Sequence, residues 1–204
     1  MMPQQSEFAN VVWAHWQVML SISTTAWLLS ELWIFARDLR RATGARADRF
    51  SLLIIILAIV LSTNVAPSLR SLFPLANMPD GNPGAVRFAA GIALMWIGIV
   101  YRQWSVFTLG SLFRTTVFVQ DDHRLITHGV YGWIRHPSYA GLLMTVLGDG
   151  LTMGNWLSLL ACVAGILAAL AWRIHVEEQA MRDRFGGDYD NYVKRSWTIV
   201  PFLW

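Results

Sequence analysis

Residues 155–185 read NWLSLLACVAGILAALAWRIHVEEQAMRDRF, an apolar half that continues directly into a charged half. The stretch contains no proline, and the Gly186-Gly187 pair that follows it is typical of a helix end. A bilayer core takes roughly 20 apolar helical residues, and about thirty helical residues extend roughly 45 Å. We therefore predict a membrane-spanning helix over 155–172 whose charged extension projects beyond the membrane face.

The composition of the whole chain agrees with a membrane protein. Of 204 residues, 55% are hydrophobic and only 14% are charged, whereas a typical globular domain is about a quarter charged. Eleven tryptophans and ten phenylalanines exceed what a water-facing surface carries, and a single cysteine excludes a disulfide scaffold. The net charge of +3 is too small to indicate a nucleic-acid partner. The composition favours an all-α, polytopic protein embedded in the lipid bilayer.

Four further segments are long and apolar enough to be spans, giving five in one membrane domain over 1–204. These segments are 11–36, 50–69, 87–106 and 138–153. Residues 1–106 would then carry three helices, and 107–204 a loop, a helical hairpin and a polar tail. Gly154 leaves almost no loop between the last two spans, and we expect Gly148-Asp149-Gly150 to form the hairpin turn. No basic segment precedes the first span, and we therefore expect this span to be retained rather than cleaved.

The basic residues predict the orientation. Fourteen of the sixteen Lys and Arg residues fall in 37–49, 102–135 and 173–195, whereas Arg70 and Arg87 fall in the intervening segment. The positive-inside rule then places the C-terminus in the cytoplasm and, with five spans, the N-terminus outside.

Two polar segments on the cytoplasmic side of this topology bracket the hairpin. The first, LITHGVYGWIRHPSYAG at 125–141, places His136 and Tyr139 one turn apart at a helix N-terminus, where backbone N–H groups favour an anion. The second contains Arg173 and Glu177, which share a helix face. Interfacial anchoring and an ordinary helix-surface ion pair are the structural alternatives. No His or Cys spacing indicates a metal site. Glu31, inside the first span, could pair with another helix.

These motifs resemble a known family. HRLITHGVYGWIRHPSYAG at 123–141, the Arg-x3-Glu-Glu group at 173–178, FGGDYDNY at 185–192 and the terminal VPF are similar, in this order, to the isoprenylcysteine carboxyl methyltransferases. The likeness covers about 120–204, and Ser196-Trp197 stand where family members often have Val-Pro. The family comprises integral-membrane enzymes that use S-adenosylmethionine.

The resemblance implies roles for individual residues. Arg173 matches an arginine directed toward the methyl acceptor, and we predict it as the catalytic residue. The matching cofactor contacts are Gln120, His123, Arg124, Leu125, Ile126, Tyr131, His136, Pro137, Ser138, Tyr139, Glu177 and Glu178. The implied partner is a lipophilic or prenylated methyl acceptor that enters from the bilayer, while the cofactor enters from the cytoplasm.

The chemistry of methyl transfer leaves the acceptor open. A carboxylate acceptor needs no general base but needs a cation, which Arg173 supplies. A thiol or amine must lose a proton, and His136, His175 or Glu178 would then be base candidates. Two other classes remain: a membrane sterol or steroid reductase that binds NADPH, against which the acidic pair Glu177-Glu178 argues, and a non-enzymatic scaffold or transporter.

Overall fold

The computed structural model describes residues 3–40, 56–57, 59–60, 66–113 and 125–202, and it forms helices and turns without a β-strand in this part of the chain. The α-helices in chain order are α1 (Pro3–Leu39), α2 (Leu69–Leu72), α3 (Asn82–Leu109), α4 (Pro137–Met153), α5 (Trp156–Phe185) and α6 (Gly187–Val193). Short 3-10 turns connect several of them.

Three of the described segments are long and apolar enough to cross a membrane: His15–Asp38, Asn82–Leu112 and Trp156–Phe185. They correspond to the first, third and fifth predicted spans. The fourth corresponds to α4, which has 17 residues. The second predicted span lies largely outside the described residues. The chain is thus an all-helical membrane protein, and the number of five spans stays a prediction.

Local signals explain where α4 and α5 begin and end. Pro137 opens α4, where its missing N–H costs no hydrogen bond. Gly154 closes the helix with φ +66°, a left-handed conformation that glycine adopts without strain. The Asn155 side chain then caps α5 by accepting a 3.0 Å hydrogen bond from the Ser158 N–H. At the other end, α5 stops at Phe185 with Gly186 as its cap, as the Gly-Gly pair predicts.

The expectation that Gly148-Asp149-Gly150 lies at the hairpin turn is wrong, because these residues are inside α4. The reason is helix packing between α3 and α4. A Cβ atom on Gly148 would lie 2.5 Å from the Gly91 carbonyl oxygen, and one on Gly98 would lie 2.6 Å from that of Gly141. Small residues therefore let the two backbones touch, a device common between membrane helices.

A buried ion pair joins α1 to α3. Arg102 donates from Nε to Glu31 Oε1 at 2.5 Å and from Nη2 to Glu31 Oε2 at 2.7 Å. Its Nη1 donates to the carbonyl and hydroxyl oxygens of Ser138 at 3.1 and 2.8 Å. Because a lone buried charge is costly, Glu31 is tied to this position, and the first turn of α4 is fixed against α3.

Substitution of Gly148 by alanine tests the backbone contact. The added Cβ would also meet the Met95 backbone nitrogen at 2.7 Å, so we expect Gly148→Ala to lower the free energy of unfolding by about 1–3 kcal/mol. Gly165→Ala on α5 is the matched control, since no atom lies within 4 Å of its Cβ position, and it should be neutral or slightly stabilising. Thermal unfolding in detergent measures both, and equal midpoints would contradict the packing argument.

Candidate active site

The first turn of α4 meets the charged extension of α5 in a cluster of three side chains. The Tyr139 hydroxyl donates to Glu177 Oε1 at 2.5 Å. Arg173 Nε lies 2.8 Å from the same carboxylate oxygen and 3.0 Å from the Tyr139 hydroxyl. The Arg173 side chain is only 2% exposed. A helix-surface ion pair is therefore the wrong description, because the guanidinium is buried and has a partner on another helix.

His136, the residue that caps α4, extends the cluster. Its ring stacks on Tyr139 with centroids 5.6 Å apart and planes 11° apart. Nδ1 lies 3.5 Å from Glu177 Oε2, and Nε2 lies 3.4 Å from Glu178 Oε1. The Nε2 contact is too poorly aligned for a hydrogen bond, so this buried nitrogen keeps an unused bonding position.

The two glutamates also control the protonation of His136. Burial on its own would lower the pKa of His136, but the close contacts and negative charges of Glu177 and Glu178 outweigh it and raise the pKa above the usual value. The two carboxylates thus stabilise the imidazolium form relative to that of a free histidine, and the site holds two carboxylates among several cationic groups.

The C-terminal tail, residues 196–198, forms hydrogen bonds with the RHPSY element at 135–139. Arg135 donates from Nε to Glu178 Oε1 at 3.0 Å and from Nη2 to Thr198 Oγ1 at 2.8 Å. The backbone N–H groups of Arg135 and His136 donate to the carbonyls of Trp197 and Thr198 at 2.7 and 3.0 Å. Because the His136 N–H is used and Pro137 has none, this helix N-terminus offers an anion fewer N–H groups than the sequence indicates.

Tyr131 is buried, and its hydroxyl donates to the Ser105 carbonyl on α3 at 3.3 Å. Its own carbonyl accepts a 2.5 Å hydrogen bond from the Tyr192 hydroxyl on α6. Burial raises the pKa of Tyr192 to about 12, so this hydroxyl stays protonated as a donor. The ring of Tyr131 is thereby fixed between α3 and α6.

The remaining predicted residues fall into three groups. Leu125 and Ile126 are half-buried at the start of the described loop. Pro137 and Ser138 are buried, and Ser138 contacts Arg102. The predicted contacts that lie outside the described residues are Gln120, His123 and Arg124.

Arg102 and the tail residues were not singled out from the sequence. In the sequence analysis Arg102 contributes only to the charge count that predicts the orientation. Glu31 lies inside an apolar span and therefore needs a cation on a neighbouring helix, and this requirement points to Arg102. No local sequence pattern indicates the contacts of Ser196 and Thr198, because these contacts depend on how the chain folds back toward Arg135.

Comparison with known proteins finds the same family that the sequence motifs indicate. A model of the isoprenylcysteine carboxyl methyltransferase family matches residues 91–183. A probable protein-S-isoprenylcysteine O-methyltransferase of Oryza sativa subsp. japonica is 35% identical over 115 residues, 55% of this chain and 60% of that protein. Protein-S-isoprenylcysteine O-methyltransferase of Tribolium castaneum is 34% identical over 115 residues, 55% of this chain and 41% of that protein. The matched region therefore spans 60% and 41% of the lengths of these two relatives, less than two thirds of each.

A solved structure is similar as well. It is that of the eukaryotic intramembrane Ras methyltransferase, isoprenylcysteine carboxyl methyltransferase, with a TM-score of 0.59 and 29% identity, covering 72% of this chain and 52% of the other. The predicted resemblance is thus confirmed: over residues 91–183 this chain matches the isoprenylcysteine carboxyl methyltransferase family.

Proposed function

We propose that the chain is an integral-membrane methyltransferase that moves the methyl group of S-adenosylmethionine to a lipophilic acceptor, an isoprenylcysteine-type carboxylate. The observation that carries this proposal is the buried cluster of Tyr139, Arg173 and Glu177, in which an aromatic hydroxyl, a guanidinium and a carboxylate converge where α5 leaves its apolar half. The names of the matched relatives support it.

The donor set of the cluster fits the cofactor. S-adenosylmethionine, when bound, supplies an electrophilic methyl group on a sulfonium and presents an ammonium, a carboxylate and ribose hydroxyls. Glu177 would hold the ammonium or the hydroxyls, and the cationic groups around it, His136 among them, would suit the carboxylate. Tyr139 would form a wall of the pocket together with Tyr131 and Pro137, and Gln120 stays a predicted contact. These assignments are proposals from the matching motifs.

The burial of Arg173 favours a carboxylate acceptor. Its side chain is 2% exposed, and the residue directly follows Trp172, the last residue of the apolar half of α5. A planar cation in a low-dielectric slot can bind a carboxylate in two-point fashion and align it with the methyl group. A thiol or amine acceptor would need a general base, and two of the candidate bases are poorly suited to this role. Glu178 is paired with Arg135 and Arg182, and His175 is exposed.

The proposed topology follows from charge. Five spans, with the N-terminus extracytoplasmic and the site and C-terminus cytoplasmic, put fourteen of sixteen basic residues on the cytoplasmic side. The cofactor would then enter from the cytoplasm and the lipophilic chain of the acceptor from the bilayer.

An NADPH-dependent sterol reductase is the competing function. The acidity of Glu177 and Glu178 argues against it less strongly than the sequence indicates, because Arg135, Arg173 and Arg182 pair with these carboxylates. The relatives are methyltransferases by name, and this favours the first proposal.

Ligand stabilisation separates these functions. A ligand at about 100 times its Kd adds about 2.7 kcal/mol of stability. We expect S-adenosylhomocysteine to raise the unfolding temperature of the detergent-purified protein and NADPH to leave it unchanged. A rise with NADPH alone would support the reductase and reject the methyltransferase.

Replacing Glu177 by glutamine tests cofactor binding. The amide keeps the shape of the side chain but removes the charge that an ammonium needs, so we expect Glu177→Gln to weaken S-adenosylhomocysteine binding about tenfold or more. Asp183→Asn, an exposed carboxylate on the same helix, removes the same charge and should bind normally. Calorimetry on both variants measures the Kd values, and equal affinities would reject the role of Glu177.

Replacing Arg173 by lysine tests the acceptor contact. Lysine keeps a cation beside Glu177 but loses the planar fork, so we expect Arg173→Lys to lower kcat on a farnesylcysteine carboxylate about 10–100-fold, with the S-adenosylhomocysteine Kd within about threefold. A turnover assay with titrated cofactor gives both values. Full turnover in Arg173→Lys would show that the guanidinium does not hold the acceptor.

A further inference from the structure

A small cavity lies at the end of the helix bundle opposite to the cluster of Tyr139 and Glu177. Its volume is about 120 Å³, and it opens between α1, α3 and the end of α4. The lining residues are Trp16, Gln17, Leu20, Arg70, Arg87, Phe88, Thr152 and Met153. None of them is acidic, and two are arginines.

These arginines are the two that the charge count separates from the other fourteen basic residues. Although they are 17 positions apart in sequence, both guanidinium groups lie against Gly154, where an added Cβ would clash with each. Arg70 is fully engaged: Nη2 donates to both Asp80 oxygens at 2.9 and 2.8 Å, and Nη1 to the Met153 and Gly154 carbonyls. It anchors the connecting segment to the end of α4.

Arg87 is less completely satisfied. Its Nη1 donates to the Pro79 carbonyl at 2.7 Å, and its Nη2 lies 3.7 Å from Asp80. Its Nε is buried and has no hydrogen-bond partner. One carboxylate, Asp80, thus faces two guanidinium groups, and an unused N–H remains beside the cavity. A buried donor without a partner is costly, and an anion at the cavity would compensate the charge of the guanidinium that carries it.

The opposite wall of the cavity is apolar. Trp16 stacks on Phe88 with ring centroids 4.9 Å apart and planes 10° apart. The connecting segment nearby exposes large apolar side chains: Leu72 is 67% exposed, Phe73 49% and Leu75 104%. Apolar groups this exposed are stable in lipid and costly in water. The cavity therefore has cations on one side and a hydrophobic wall on the other, and apolar side chains suited to lipid lie nearby.

We propose that this cavity binds the phosphate group of an anionic phospholipid, with Arg87 as the main contact and the Trp16–Phe88 wall against the upper part of an acyl chain. The cavity is far below the roughly 300–1,000 Å³ of pockets for whole small molecules, which fits a headgroup phosphate instead. The excess cation favours a lipid with net negative charge over a zwitterionic one. The site is separate from the proposed methyl-transfer site, and its occupancy does not depend on that function.

Native mass spectrometry of the full chain in detergent tests the proposal. The probes are phosphatidylglycerol and phosphatidylcholine with identical acyl chains, and inorganic phosphate in a separate arm. We expect phosphatidylglycerol to bind about tenfold more tightly than phosphatidylcholine, and Arg87→Gln to abolish the difference. Arg195→Gln, an exposed arginine near the C-terminus, removes the same charge and should leave it unchanged.

A second variant covers the case in which Arg87→Gln does not fold. Leu20→Trp keeps both arginines but fills the cavity, and we expect it to lose the phosphatidylglycerol preference while unfolding at the wild-type temperature within a few degrees. Equal binding of both lipids by the wild type, or an unchanged preference in Leu20→Trp, would overturn the proposal. Arg87-dependent stabilisation by inorganic phosphate without a lipid preference would reject the lipid and assign a soluble anion.

Discussion

A charge buried beside the membrane must be paired, and two arginines impose this constraint on the first turn of α4. Arg102 on α3 binds Ser138, and Arg173 on α5 binds Tyr139, the next residue along the chain. Each guanidinium is also neutralised by a glutamate, Glu31 or Glu177. Because breaking a buried pair leaves an uncompensated charge, the position of this turn is fixed from both sides at once. The candidate site is built on that turn.

The glycines explain how a 17-residue helix can be held this firmly. Gly91 and Gly98 on α3 face Gly148 and Gly141 on α4, so the two backbones touch along the length of α4. In a bilayer, helices gain little from hydrophobic burial against each other, and close backbone packing takes its place. With the helix axes fixed by this contact, Arg102 reaches Ser138 with two hydrogen bonds. The packing and the ion pairs therefore support each other.

Much of this arrangement could be predicted from the sequence, for reasons that are local. Apolar length indicates the helices, Pro137 the start of α4, and Gly186 the end of α5, since each acts through its own backbone. The sequence indicates that Glu31 needs a cationic partner, but it does not identify that partner. The hydrogen bonds between Arg135 and residues 196–198 could not be predicted, because they depend on how the chain turns back after α6. The position of Gly148 inside α4 could not be predicted, because glycine has the same local signature at a turn and at a helix contact.

Glu177 and Glu178 show why motif matching and geometry have to be combined. Adjacent residues on a helix point about 100° apart, so the two carboxylates of one motif face different neighbours. Glu177 contacts Tyr139 and Arg173, whereas Glu178 contacts Arg135 and Arg182. Glu178 thus pairs with the arginine that contacts the tail, whereas Glu177 belongs to the cluster with Tyr139 and Arg173. His136 lies between them, 3.5 Å from one carboxylate and 3.4 Å from the other. The tail therefore contacts the candidate site both through the Glu178–His136 contact and through its hydrogen bonds to the Arg135 and His136 backbone, so its folding is coupled to the geometry of the site.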